Sequence, residues 1–555
     1  MTAATTTAGT TTTDAGRWRP LYLLAAAQFI MVLDTSVMNV SISQLVEDFD
    51  TEVSTIQAVI TLYALVMAAF MILGGKLGDL WGRRRAWSVG LAVYGLGSFL
   101  TAISWSVPAL VLGWSVVEGL GAALVLPALA ALVAGNYRGK DRAAAYAVIG
   151  AVAGAGVAVG PLLGGWVTSN LSWRYVFAGE TVVVIGILVV RRWVSEGPAA
   201  RRPQLDGVGA ALSALGMALV VWGVLQSATW GLLEPRDSPV TPFGFSLTLF
   251  VVAAGFAVLW LFARWQARRV SRDEDPLLDM SLLDILPLRS GLTVLLAQQL
   301  VLMGIFFVIP LYLQVVQGFD AFATGLRLLP VSVTMLVGAG VGPVLGRTIG
   351  ARTLCRAGLL ILLAAALYLL TTIQPVIDGT NFAIGMAILG LGIGLLASQL
   401  GNVIQSTVGE EARGEVGGLQ FTAQNLGASL GTAFIGSIVV GALATSAAKG
   451  VAADPAISAA VKDAVGVQLE SGVEFMSVSA VEQALTAAAV PAAEAQALLE
   501  QYAAAQLVGL KTALLAVGAI SLLSLVFTRN LPTRPMTSPT AVTDAEESPE
   551  EAAAA

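Results

Sequence analysis

Gly74–Arg85 reads GGKLGDLWGRRR, between two long apolar stretches centred near residues 66 and 95. A chain that leaves one apolar helix and enters the next within so few residues must turn tightly at a membrane surface. Gly75, Gly78 and Gly82 permit close helix contact and backbone angles that side chains disfavour. Asp79 can accept from an arginine, or face a neighbouring helix N-terminus where the helix dipole favours a carboxylate. Arg83, Arg84 and Arg85 can pair with acids or lipid phosphates. Basic residues alone would make a plain cytoplasmic anchor under the positive-inside rule; the spacing of Gly, Asp and Arg is more specific than that.

Outward from this turn the chain is apolar almost throughout. Of its 555 residues 56% are hydrophobic and 12% charged, with a mean hydropathy of +0.80, against about 25% charged residues in soluble domains. One buried core cannot absorb this, whereas helices of ~20 apolar residues crossing a bilayer can. Fourteen candidate spans centre near residues 32, 66, 95, 120, 156, 184, 217, 253, 302, 336, 363, 392, 430 and 518. The first, Leu21–Ile42, is too long for a signal-peptide core and is expected to stay. With the N-terminus inside, 24 of the 30 Lys and Arg fall on the inner side. A missed span would swap the sides downstream and destroy that asymmetry. The expectation is a multi-pass protein of a bacterial cytoplasmic membrane with both termini cytoplasmic, the bacterial origin read from the excess of Arg over Lys and the abundant Ala. The tails, 1–20 and 530–555, are polar or low in complexity and are expected to be disordered. The outer loop 446–505 holds two Lys against seven acids. It reads as a solvated cap, with Val481–Ala505 helical and interrupted at Pro491. There is no histidine, and the single Cys355 forms no internal disulfide, so a histidine relay or histidine metal site is excluded.

The pattern G-x-L-G-D-x-x-G-R-R resembles the signature of the major facilitator superfamily, in which this loop latches the inner gate through Gly75, Gly78, Asp79, Gly82, Arg83 and Arg84. A degenerate echo, GPVLGRTIGAR (Gly342–Arg352), keeps Gly342, Arg347, Gly350 and Arg352, as expected for two parallel repeats. The resemblance implies an all-α polytopic membrane protein with two six-helix bundles, 21–193 and 290–529, and two extra central helices within 194–289. In span 5, GAVAGAGVAVGPLLGGW (Gly150–Trp166), Gly156, Gly160 and Gly164 share one helix face and let another backbone approach, and Pro161 adds a kink. With Gly165, this stretch resembles the antiporter signature of the export branch. Span 1 carries VLDTSVMN (Val32–Asn39), with Asp34 near mid-membrane, where a charge costs roughly 2.5–3.5 kcal/mol on insertion scales. That motif, and QNLGASLGTA (Gln424–Ala433) in span 13, resemble fourteen-span drug:proton antiporters.

Span 4 departs from the family pattern. In SVVEGLGAALVLP (Ser115–Pro127), Ser115 stands where the family has an arginine and Glu118 where it has a glutamine. In WRYVFAGE (Trp173–Glu180), Glu180 replaces a common asparagine. Each acid has a plain structural reading beside the functional one: a hydrogen bond to a neighbouring helix, or for Glu180 a depth shallow enough to reach outer water. The functional reading is proton coupling by Asp34 and Glu118, with Glu180 the next candidate.

The implied activity is export of small lipophilic or cationic organic compounds (drugs, antibiotics or a self-made metabolite) in exchange for protons. A proton-coupled importer or passive facilitator is the alternative, because the fold serves either direction. Enzymatic chemistry is not expected. The phosphate-loop pattern is absent, since Lys76 is followed by Leu77 and Lys140 by Asp141. No cofactor, metal site or nucleic-acid partner is expected, the proton gradient supplies the energy, and a monomer should suffice. Candidate cavity residues are Gln28, Asn39, Tyr63, Trp114, Gln298, Gln299, Phe306, Gln399 and Asn402. The topology is open to cysteine labelling in a Cys355→Ser background. Ala480→Cys should react with impermeant reagents in intact cells; labelling only after permeabilisation would refute it.

Overall fold

The computed structural model describes residues 18–533 except 138, 197–203, 232–234, 236, 237, 409–412, 460, 463–474 and 489. Most of both expected disordered tails lies outside the described residues. Within them the chain is helical, with no strand. An apolar run in hydrocarbon has no water to satisfy its amides and carbonyls, and the helix satisfies them within the segment.

The first half comprises α1 (Arg19–Val40), a short α2 (Ile42–Phe49), α3 (Val53–Trp81) and α4 (Arg83–Ala102). It continues with α5 (Val107–Leu110), which runs through a π-helical segment, Val111–Glu118, into α6 (Gly119–Asn136), then α7 (Gly139–Asn170) and α8 (Arg174–Val190). Two helices follow, α9 (Gly207–Trp230) and α10 (Leu247–Ser271). The second half comprises α11 (Leu286–Leu311), α12 (Ala321–Leu345), α13 (Ala351–Thr372), α14 (Gly379–Ser406), α15 (Arg413–Ala453), α16 (Val478–Ala487) and α17 (Ala492–Phe527). Eleven of the described helices are long and apolar enough to cross a membrane, or twelve with the bent α7. The stretches expected as spans near residues 95 and 184 are α4 and α8. Both are helices, but α4 opens on three arginines and α8 has 17 residues, so they stay outside that count.

The spacing of small residues in α7 decides how it packs. A side chain on Gly160 would collide with Ser36 of α1, and a Cβ on Gly164 would lie 2.6 Å from Val37. The next positions face the other half: Gly165 abuts the Ala321 carbonyl at the start of α12, and Gly325 of α12 abuts the Pro161 carbonyl. Pro161 cannot donate to the Val157 carbonyl, and α7 bends by 40° between its Val148–Val157 and Val159–Asn170 parts.

Hydrogen bonds seal the two halves toward the end of the bundle where α1 finishes. Gln314 accepts from Ser43 Oγ at 2.5 Å and donates to the Val40 carbonyl at 2.6 Å. Gln57 of α3 donates to the Thr432 carbonyl at 3.0 Å, and Ser429 to the Thr61 carbonyl at 2.9 Å. Helix α9 docks on this assembly, with Met217 and Val221 buried against Leu65, Ala68 and Ala433, while α10 packs chiefly on α9. Beyond the same end, α15 and α17 form a small cap with Val451, Ile457, Ala497 and Leu498 at its centre. There Glu494 accepts from Ser458 and Asp454 from Gln501. Pro491 does interrupt the helix, as the N-cap of α17.

Overpacking a tight core contact costs about 1–3 kcal/mol. Gly160→Leu should therefore lower the melting temperature in detergent. Gly150→Leu, where a Cβ meets nothing within 4 Å, should leave it nearly unchanged; equal effects would contradict the packing assigned to the stripe.

Candidate functional site

Three carboxylates from three helices meet inside the first half. Asp34 comes from the middle of α1, Glu118 from the end of the π-helical segment and Glu180 from the second turn of α8. All are buried, at 0%, 0% and 2% exposure, and their oxygens lie within 4.8 Å of one another. The π segment places Trp114 and Glu118 together, and wider turns of this kind recur at functional sites. A Cβ on Gly97 of α4 would fall 2.5 Å from the Glu118 backbone nitrogen, so glycine there lets this backbone press against α4.

Neutral donors hold one oxygen of each acid. Trp114 Nε1 donates to Asp34 Oδ1 at 2.7 Å, Ser98 Oγ to Glu118 Oε1 at 2.9 Å, and the Tyr94 hydroxyl to Glu180 Oε2 at 3.1 Å. Among the described residues no donor is assigned to the second oxygens, Asp34 Oδ2, Glu118 Oε2 and Glu180 Oε1. Among the described residues no salt bridge reaches the cluster. Ser115, at the position expected for an arginine, donates instead to the Val59 carbonyl of α3 at 2.9 Å. The trio is also close enough together to hold a cation.

A cavity of about 220 Å³ lies between the halves. Gln28, Thr35 and Asn39 of α1 line it with Tyr63 of α3, Gln299 and Phe306 of α11, and Gln424 and Asn425 of α15. Tyr63 connects it to the carboxylates, its ring stacking on Trp114 with centroids 4.4 Å apart and planes 3° from parallel.

At the opposite end from the Val40 seal, the turn after α3 is pinned as a unit. Gly82 has φ +95°, and a Cβ there would meet the Glu196 carboxylate. Glu196 accepts from the Arg84 amide at 3.1 Å and pairs with its guanidinium at 3.6 Å, while Arg84 also donates to the Val194 carbonyl. Asp79 pairs with Arg83 at 3.6 Å. The echo in the second half does the same work: Arg352 Nε donates to the Leu531 carbonyl at 2.9 Å. In each half an arginine after the equivalent turn grips the strand-like segment that follows that half's last helix.

A family model described as Major Facilitator Superfamily matches residues 24–432. The chain belongs to that superfamily. Among its relatives, the probable actinorhodin transporter of Streptomyces coelicolor is 30% identical, covering 78% of this chain and 74% of that one. The tetracenomycin C resistance and export protein of Streptomyces glaucescens is 28% identical, covering 76% of each. In fold, the chain is similar to a bacterial homologue of the human lysosomal transporter Spinster, solved in an inward-facing, unoccupied conformation. That match has a TM-score of 0.61 at 15% identity, over 94% of this chain and 98% of that one. The protein is a superfamily transporter and not an enzyme.

Of the cavity residues expected for this superfamily member, Gln28, Asn39, Tyr63, Gln299 and Phe306 line the central cavity. Four do not. Trp114 turns away into the carboxylate cluster. Gln298 faces the core of its own half and donates to the Ile393 carbonyl. Gln399 lies behind Gly342 and Gly346 and bonds Ser398. Asn402 is on the exposed side of α14. A single residue step on a helix rotates a side chain by about 100°, which separates Gln298 from Gln299. Glu180 is buried and does not reach outer water. Thr35, Gln424 and Asn425 also line the cavity; Thr35 shares the helical face of Gln28 and Asn39, and Gln424 opens the span 13 motif.

Trp114→Phe keeps the stack on Tyr63 but removes the donor from Asp34. Losing one partner of a buried polar pair costs about 1–3 kcal/mol. Trp114→Phe should therefore lower the melting temperature in detergent, and an unchanged melting temperature would contradict the contact between Trp114 and Asp34.

Proposed function

We propose that the protein is a fourteen-span antiporter of the bacterial cytoplasmic membrane that exports small lipophilic or cationic organic compounds in exchange for protons, by alternating access. The observation that carries this reading is the buried trio of Asp34, Glu118 and Glu180, which has no cationic partner among the described residues and touches the central cavity through Trp114 and Tyr63.

Two unit charges 4.8 Å apart repel by about 3.5 kcal/mol at an effective dielectric of ~20. Three ionised carboxylates would add three such terms to the cost of removing each from water, so the trio works with protons bound and changes their number as its surroundings change. Exposure to the outer, more acidic side loads a proton. Exposure to the cytoplasm releases it and leaves a charge that favours a cation in the cavity. Loss of the usual span 4 arginine, replaced by Ser115, removes the group that would hold an acid permanently ionised. With the termini cytoplasmic, the Val40 end is the outer one, and its seal makes this an inward-facing state. The pinned turn at Asp79, Gly82 and Arg84 then belongs to the inner gate. The likeness to a probable actinorhodin transporter and to a tetracenomycin C resistance and export protein supports an antibiotic or a similar compound as cargo. In this reading α4 and α8 are the two remaining spans, since both pack within the first bundle against spans of adequate length.

The test is transport by purified protein in liposomes, with and without an imposed pH gradient. Asp34→Asn and Glu118→Gln should abolish gradient-driven accumulation of a cationic dye and retain downhill exchange. If both variants still concentrate the dye when a gradient is applied, the trio does not couple transport to protons.

A further inference from the structure

The three acids lie beside the central cavity but are shut off from it. Carboxamides, hydroxyls and apolar side chains line that cavity, and no charged group is among the described residues of its wall. Gln28, Thr35 and Asn39 form one face of α1 there, and Asp34 leaves the helix from another, at 0% exposure. The two spaces meet at Tyr63. This residue lines the cavity, its ring lies flat on Trp114 with planes 3° apart, and its buried hydroxyl is directed at Asp34. Trp114 is fully buried and is held in turn by its own hydrogen bond to Asp34 Oδ1. The cavity side of the stack is thus a wall one aromatic ring thick, and Trp114 fills the space behind it. A tyrosine ring turns about its Cα–Cβ bond between staggered positions. With Trp114 behind it, the Tyr63 ring has room to turn only toward the cavity of about 220 Å³.

We propose that Tyr63 is a gate between the cargo cavity and the acid cluster. Closed, its ring keeps cavity water and cargo off Asp34; turned into the cavity, it opens a path for water to the acids. The proposal rests on the reading of the trio as the proton site and adds the residue that controls access to it. A proton leaves a buried carboxyl along a chain of hydrogen-bonding groups, water or hydroxyl, and the carbon face of the ring offers none. With the ring closed, the number of protons on the trio is fixed while the cavity fills or empties. Cargo then meets the amides of Gln28, Asn39, Gln299 and Gln424 and not a carboxylate, so the two sites are kept apart by a single side chain.

The gate is tested on the full-length protein in lipid nanodiscs, with no gradient and no cargo. The probe is a water-soluble carbodiimide with glycinamide, which couples to a carboxyl where water reaches it; labelled peptides are quantified by mass spectrometry. Asp34 should label slowly in the unmodified protein and about tenfold faster in Tyr63→Ala and Tyr63→Leu, the factor that loss of an aromatic stack corresponds to. Tyr63→Phe keeps the ring and should label as slowly as the unmodified protein. Ile60→Ala enlarges the same cavity one turn away on α3 and should also leave Asp34 protected. Asp206, 3% exposed and outside the cavity lining, reports any loosening of the fold. Unchanged labelling of Asp34 in both Tyr63→Ala and Tyr63→Leu would overturn the gate. So would fast labelling in Tyr63→Phe or Ile60→Ala, or a rise at Asp34 that comes only with an equal rise at Asp206. Labelling reads access and not transport, so the outcome is separate from whether the trio couples transport to protons: acids that fail to couple in liposomes can still be gated by Tyr63, and acids that couple can be open without it.

Discussion

A carboxylate placed in hydrocarbon needs partners, and the first half of this transporter is arranged around three that share too few. Each acid receives a neutral donor on one oxygen, from Trp114, Ser98 or Tyr94, and leaves the other bare. Full ionisation is therefore costly and permanent neutrality is not enforced. That balance depends on the absence of any arginine or lysine salt bridge among the described residues of the cluster. A guanidinium at position 115 would quench it; Ser115, spent on the Val59 carbonyl, does not.

The helix packing exists at the tolerances this cluster needs. The small face of α7 brings α1 close enough that Ser36 and Val37 touch the positions of absent side chains. This contact fixes the rotation of α1, with Asp34 turned inward and Gln28, Thr35 and Asn39 turned to the cavity. Gly97 does the same for the π-helical segment that carries Trp114 and Glu118. Helix α7 thus makes two close contacts on adjacent faces: Gly156, Gly160 and Gly164 against α1 of its own bundle, and Pro161 and Gly165, each one residue further on, against α12 of the other half. One helix is therefore packed tightly against both its own bundle and the opposite half.

The two ends of the molecule are closed by different chemistry. At the Val40 end, side-chain amides of Gln57 and Gln314 reach across to backbone carbonyls of the opposite half. These neutral bonds are individually worth about 0.5–1.5 kcal/mol. At the other end, charged groups bind each turn to its own half: Arg84 to Glu196 and Val194, Arg352 to Leu531. Charged groups thus tie each turn within its own half, and neutral side-chain amides span the gap between the halves.

Much of this was legible in the sequence. The apolar runs and the glycine-rich turn before Arg83 dictate membrane helices, since hydrocarbon leaves the backbone no other way to bond. The four-residue spacing of Gly156, Gly160 and Gly164 marks a face that another helix must approach. Asp34, Glu118 and Glu180 stand out because acids are rare at such depth. What the one-dimensional string could not contain was distance and rotation. That three acids separated by 84 and 62 positions share one pocket follows only from how α1, the π-helical segment and α8 cross. Which of Gln298 and Gln299 meets the cavity, and whether Trp114 serves cargo or Asp34, depends on the rotation of each helix. In a span that is apolar on every side, no periodicity records that rotation, and only packing against neighbouring helices sets it.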